Sequence, residues 1–118
     1  MPYTILVVED NQGLRESMAL YLRKLNHNVH EAQTVEKGME YVRQIEFDVA
    51  IADYRLADGL GLDLLTYIHS VSPQTKKILV TGVSSSELLM KSAMVGIICL
   101  FKPFSLDSLV SELNKKSA

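Results

Sequence analysis

Apolar residues along this chain follow two alternating patterns. Short, nearly continuous runs occupy Ile5–Val8, Val49–Ala52, Lys77–Thr81 and Ile97–Phe101, with a weaker one at Val29–Ala32. Between the runs, apolar residues recur three or four positions apart. Leu14, Met18, Leu22 and Leu25 mark one face of a first helix. Met39, Val42 and Ile45 mark a second, with Thr34 as its cap, and Leu64, Leu65, Ile68 and Val71 mark a third that Pro73 stops. Ser84–Ser86 lead into a fourth helix carrying Leu88, Leu89 and Met94, and a fifth starts at Ser105 and repeats Leu106, Leu109, Val110 and Leu113. An unbroken apolar run suits a strand covered on both faces, whereas spacings of three and four lay one stripe along a helix.

The alternation predicts five strands, near 4–9, 28–32, 48–52, 77–81 and 97–101, each followed by a helix. Such an order builds a single, doubly wound, five-stranded parallel α/β sheet with right-handed crossovers. Ligands of open parallel sheets bind at the carboxyl ends of the strands, beside the point where strand order reverses. If the order is 2-1-3-4-5, strands one and three meet at that point.

Composition narrows the class. The chain has 118 residues, 47% apolar and 22% charged, with a formal net charge of −2 and a single cysteine, Cys99. These values fit one globular domain over residues 1–118 and give no electrostatic reason for direct nucleic-acid or membrane-surface binding. One cysteine forms no intramolecular disulfide, and a lone thiol in an apolar run suits a reducing compartment. No basic segment leads into an apolar stretch with a cleavage site, and no apolar run approaches the roughly 20 residues of a membrane span. The expectation is a cytoplasmic domain.

The polar residues collect at the strand ends. Glu9 and Asp10 follow the first run, Asp53 the third, Thr81 and Gly82 close the fourth, and Lys102 and Pro103 follow the fifth. Each has an ordinary reading: Asp10 and Thr81 as helix caps, Lys102 as a solvated loop residue. Asp53 and Glu9 resist that reading, because no cap position is evident after Asp53 and Asp10 already supplies any cap beside Glu9. Three neighbouring carboxylates need compensation, and a hard divalent cation with oxygen ligands supplies it. A divalent cation, an ammonium, a hydroxyl and an exposed carboxylate are the parts of a phosphoryl-transfer site.

With "ILVVEDN", "VAIADYRLADGLGLDLL", "KILVTG" and "LFKPF" in this order and spacing, the chain resembles the receiver domain of two-component response regulators, the CheY-like superfamily, over essentially its whole length. The resemblance implies a flavodoxin-like (βα)5 fold and a regulatory phosphoacceptor, not an enzyme beyond self-phosphorylation from small donors and autodephosphorylation. It implies that Asp53 accepts a phosphoryl group, that Thr81 is the switch hydroxyl and that Lys102 contacts the phosphoryl group. Mg²⁺, with Mn²⁺ as an alternative, would be held by Asp10, Asp53 and the Arg55 backbone carbonyl directly and by Glu9 through water. The Lys102–Pro103 bond is cis in most relatives, and Gly59 matches a loop glycine. The implied partners are a sensor histidine kinase or a histidine phosphotransfer domain and a downstream effector, with the chain a monomer or weak homodimer.

Two positions depart from the family. Ala57 stands where a proline is usual, and Cys99 stands where relatives carry Tyr or Phe. The surface expected to switch is the fourth helix, fifth strand and fifth helix. Leu88, Leu89, Met90, Met94 and Val95 fit either core plus a partner patch or a helix that is simply well buried. Among rivals, a haloacid-dehalogenase-type phosphatase needs a second acid two residues after its nucleophile, where Gln12 and Arg55 stand. An FMN-binding loop would not be acidic at "EDNQG". A degenerate receiver that binds partners without phosphorylation is the remaining alternative.

Overall fold

The computed structural model describes residues 2–115. In chain order the elements are β1 (Thr4–Val8), α1 (Gln12–Lys24), β2 (Asn28–Ala32), α2 (Val35–Gln44), β3 (Val49–Asp53), β4 (Arg55–Leu56), β5 (Gly59–Leu60), α3 (Gly61–Val71), β6 (Lys76–Thr81), α4 (Ser86–Met94), β7 (Ile97–Phe101) and α5 (Leu106–Asn114). β1, β2, β3, β6 and β7 form one parallel sheet in the order β2-β1-β3-β6-β7. Counting only these strands, this is the expected order 2-1-3-4-5. The short antiparallel hairpin β4–β5 lies where "LADGLG" reads as a turn.

The continuous apolar runs have the expected cause. Along β1, Ile5 and Val7 enter the core layer that contains Met18, Leu22, Leu109 and Leu113 of α1 and α5. Leu6 and Val8 enter the opposite layer with Leu64, Leu65 and Ile68 of α3 and Leu88 of α4. β3 divides likewise, with Val49 and Ile51 on one face and Ala50 and Ala52 on the other. Period-two alternation therefore sends each apolar residue of a central strand into one of two cores. Each fully buried Leu or Ile stabilises the fold by roughly 1.5–3 kcal/mol.

Several expected helix faces are narrower than the sequence pattern. Leu25 lies past the end of α1 and is exposed, as is Val71 at the end of α3. On α4 only Leu88 of the apolar set is buried, while Leu89, Met90 and Met94 are 41%, 67% and 82% exposed. The well-buried reading of that helix therefore fails, because α4 packs on the sheet through one stripe. Cys99 is half-buried rather than buried, packed against the α3–α4 core layer.

The caps follow from side-chain oxygens. Thr34, Ser85 and Ser105 each accept a hydrogen bond from the backbone N–H three residues on and start α2, α4 and α5. At α1 the cap is Asn11, whose Oδ1 accepts from Leu14 N at 2.9 Å. The cap role expected of Asp10 is thus taken by its neighbour.

The amino end of β6 is also polar. Lys76 and Lys77 begin β6 and point to opposite faces. Lys76 Nζ donates to the carbonyls of Leu113 and Lys115 at the end of α5. Lys77, only 3% exposed, donates to the carbonyls of Thr75 at 2.7 Å and Pro73 at 3.3 Å, just past α3. Burial pulls the pKa of both ammonium groups down.

Candidate functional site

The sheet order brings the ends of β1 and β3 together. Ile5 to Val8 pair with Val49 to Ala52, so Glu9 and Asp10 leave β1 beside Asp53, the last residue of β3. One carboxylate oxygen from each of Glu9, Asp10 and Asp53 lies within 4.8 Å of the others, the one such group among the described residues. Asp10 is free for this site because Asn11 has taken over the cap.

Glu9 is the buried member, at 1% exposure. Its backbone N–H donates to Ala32 O at 3.0 Å and its carbonyl accepts from Arg15 Nη1 at 3.0 Å, which fix the residue at the sheet edge. Its Oε2 accepts from Asn11 N at 3.1 Å. Burial, with the charge of Asp53 as a further cause, pushes the Glu9 carboxyl above its ordinary value, against the opposing pull of the Asn11 N–H and Lys102. A buried acid raised in this way gains from a nearby cation.

Lys102 is the cation present. Its Nζ lies 3.0 Å from Asp53 Oδ1 and 3.5 Å from Glu9 Oε1. It follows β7, its own N–H donates to Thr81 O at 2.9 Å, and the Lys102–Pro103 peptide is cis. Burial alone would lower its pKa; the hydrogen bond to Asp53 and the charges of Glu9 and Asp53 outweigh that and hold it above the usual lysine value. Even so, one ammonium faces three carboxylates, and the donor set of hard oxygens fits a divalent ion such as Mg²⁺.

Thr81 ends β6 and is 1% exposed. Its Oγ1 accepts from Val83 N at 2.9 Å, which leaves the hydroxyl proton free to donate. Asp53, Glu9, Asp10, Lys102 and Thr81 all stand at the carboxyl edge of the sheet, on four different strand ends. Arg55 opens the hairpin two residues after Asp53, its guanidinium over the Tyr54 ring at 5.7 Å.

A family model for the response regulator receiver domain matches residues 5–114. The chain belongs to that family. Phosphorylation and Mg²⁺ binding at an acidic pocket are typical of receiver domains, which are regulatory parts of two-component systems. This receiver domain is 31% identical over 105 residues to the response regulator protein PilR of Pseudomonas aeruginosa, covering 88% of this chain and 24% of that protein. It is 30% identical over 115 residues to the transcriptional regulatory protein ZraR of Escherichia coli, covering 97% of this chain and 26% of that protein. The chain thus spans about a quarter of the length of these relatives. Among solved structures, a CheY-like receiver domain protein from Methanospirillum hungatei superposes with a TM-score of 0.90 at 29% identity, covering 96% of this chain and 91% of that one. The non-phosphorylated HemR receiver domain from Leptospira biflexa gives 0.88 at 28% identity, with coverage of 96% and 91%. No described helix is long and apolar enough to cross a membrane.

Sequence reasoning missed Gly61. A Cβ there would lie 2.0 Å from Asp53 O, so only glycine lets α3 start this close to the end of β3. Its N–H donates to Tyr54 O at 2.8 Å and closes the loop after Asp53. A readable signal exists: "GLGL" has two glycines, and the second opens α3. Gly59 does have a left-handed φ of +156°.

Proposed function

We propose that this receiver domain accepts a phosphoryl group on Asp53 from a phosphohistidine of a sensor histidine kinase or histidine phosphotransfer domain. The observation that carries the reading is Lys102 Nζ seated between Asp53 and Glu9 while Asp10 completes an acid trio around the same point. One Asp53 oxygen attacks phosphorus in line. The P–N bond breaks, and its electron pair returns to the imidazole, which takes up a proton. Asp10, Asp53 and the Arg55 carbonyl would hold Mg²⁺ directly and Glu9 would hold it through water; the bound ion offsets charge on the phosphoryl oxygens.

The remaining work falls to the chain itself. Lys102 neutralises a phosphoryl oxygen, and Thr81 donates its free hydroxyl proton to another. Both residues end strands next to α4 and α5, so contacts made only in the phosphorylated state bias the surface of α4, β7 and α5. That surface includes the exposed Leu89, Met90, Met94 and Phe101, which suits an effector or a downstream protein as partner.

The test is direct. Incubation with Mg²⁺ and acetyl phosphate should add one phosphoryl mass, labile to base, that Asp53→Ala abolishes. If neither acetyl phosphate nor a cognate kinase yields an adduct, the reading is wrong and the chain acts as a phosphorylation-independent binding module.

A further inference from the structure

Asp58 lies at the tip of the β4–β5 hairpin, three residues after Arg55. It is not a member of the acid trio. Its two carboxylate oxygens instead reach the first turn of α2. Oδ1 accepts from Val35 N at 2.8 Å and Oδ2 accepts from Glu36 N at 3.0 Å. Thr34 serves the next N–H, that of Lys37, at 3.0 Å. With both oxygens engaged, Asp58 forms a two-point fork whose orientation relative to α2 is fixed. The two N–H donors hold its carboxyl below the usual carboxylate range.

The hairpin has its own closure through the pairs Arg55–Leu60 and Leu56–Gly59 and the Gly61-to-Tyr54 bond. These bonds tie the hairpin to itself, and Tyr54 N, which donates to Val80 O at 2.9 Å, ties its base to β6. The Asp58 fork ties its tip to a separate helix. Ala57, beside Asp58, leaves the tip's backbone without the φ restraint a proline would impose.

We propose that Asp58 is a positioning residue for the cation site. By clamping the hairpin tip to α2 it fixes the Arg55 carbonyl and the Asp53 end of β3 in the arrangement a divalent ion requires. This rests on the reading of Asp53, Asp10 and Arg55 as the ion's direct ligands. Groups that orient metal ligands commonly change affinity by tenfold or more when lost.

The test uses the full chain and Mg²⁺ alone, with no phosphodonor, so that affinity is read by calorimetry independently of phosphorylation. Asp58→Ala should weaken Mg²⁺ binding about tenfold. Asp58→Asn, which keeps one acceptor oxygen, should fall between it and the wild type. Thr34→Ala removes a cap from the same helix without touching the hairpin, and should lower the melting temperature while leaving Mg²⁺ affinity unchanged. The inference is overturned if Asp58→Ala melts lower but binds Mg²⁺ as the wild type does, or if Thr34→Ala weakens binding equally. Should Asp58→Ala fail to fold, Asp58→Asn against Thr34→Ala decides in the same way. Absence of Mg²⁺ binding by the wild type would overturn the ligand reading itself, and this inference with it.

Discussion

Lys102 and Asp53 form an ion pair of 3.0 Å across the edge of the sheet, joining the end of β7 to the end of β3. The ammonium occupies one side of the carboxylate that a cation and a phosphoryl group must also approach. Removing it should have opposite effects on two measurements. Lys102→Ala is expected to bind Mg²⁺ more tightly, because a competing positive charge is gone. Its adduct formation from acetyl phosphate should slow by about 10²-fold, the usual cost of losing a donor aimed at developing charge. Calorimetry and a mass-resolved time course separate the two. Parallel loss of both would make Lys102 a scaffold residue.

Glu9 gives a pH-dependent prediction. Its folded pKa lies above the unfolded value of 4.5, so the fold carries a penalty that is fully present above the folded pKa and relieved as pH falls toward 4.5. Glu9→Gln removes the penalty while Asp53 still pairs with Lys102. In Mg²⁺-free buffer near neutral pH the variant should melt roughly 2–5 °C higher. Added Mg²⁺ should then stabilise it less than it stabilises the wild type. Thermal melts with and without the ion check both halves.

His27 makes the opposite case. Its Nδ1 accepts from Tyr3 N at 3.0 Å, and its ring stacks on that of Tyr3 with centroids 5.2 Å apart. Burial, and then the charge of the amino terminus, lower its pKa below 6.5. Stability from this contact is present above 6.5 and lost as pH falls below it, since protonation turns the acceptor into a donor. Comparing wild type with His27→Gln, the difference in melting temperature should shrink between pH 7 and pH 5. An unchanged difference would exclude His27 as the titrating group.

Gly61→Ala tests the close approach of α3 to β3. A methyl group placed 2.0 Å from Asp53 O must displace backbone, because no flexible side chain is there to yield. The expected cost is about 2–3 kcal/mol, in the range of overpacked cores, read by urea unfolding. Phosphoryl acceptance should fall in the same variant, since Asp53 moves with its carbonyl.

The βα alternation was legible because four apolar runs, and a weaker fifth at Val29–Ala32, separate from helical stripes. The strand order, which pattern and crossover handedness leave open, came from the family resemblance, and the observed pairing matches it. The site was legible for a related reason: Glu9, Asp10, Asp53, Thr81 and Lys102 each interrupt an apolar run at its carboxyl end. What escaped depends on three dimensions. Asn11 and Asp10 are both good caps, and only the backbone path decides that Asn11 takes the role. Leu25 and Val71 extend a helical period past the last turn that packs on the sheet. Asp58 reads as a turn residue, because nothing local in "LADGLG" reveals a helix start more than twenty residues upstream.

Lys76 and Lys77 give β6 an anchored foot. Two consecutive side chains leave the strand in opposite directions, and each is seated in the carbonyl end of a different helix region, α5 on one side and the turn after α3 on the other. A strand pinned on both sides at its base does not slide along its axis. Thr81, at the far end of the same strand, leads into the loop before α4, so the tethered foot and the candidate site lie at opposite ends of β6.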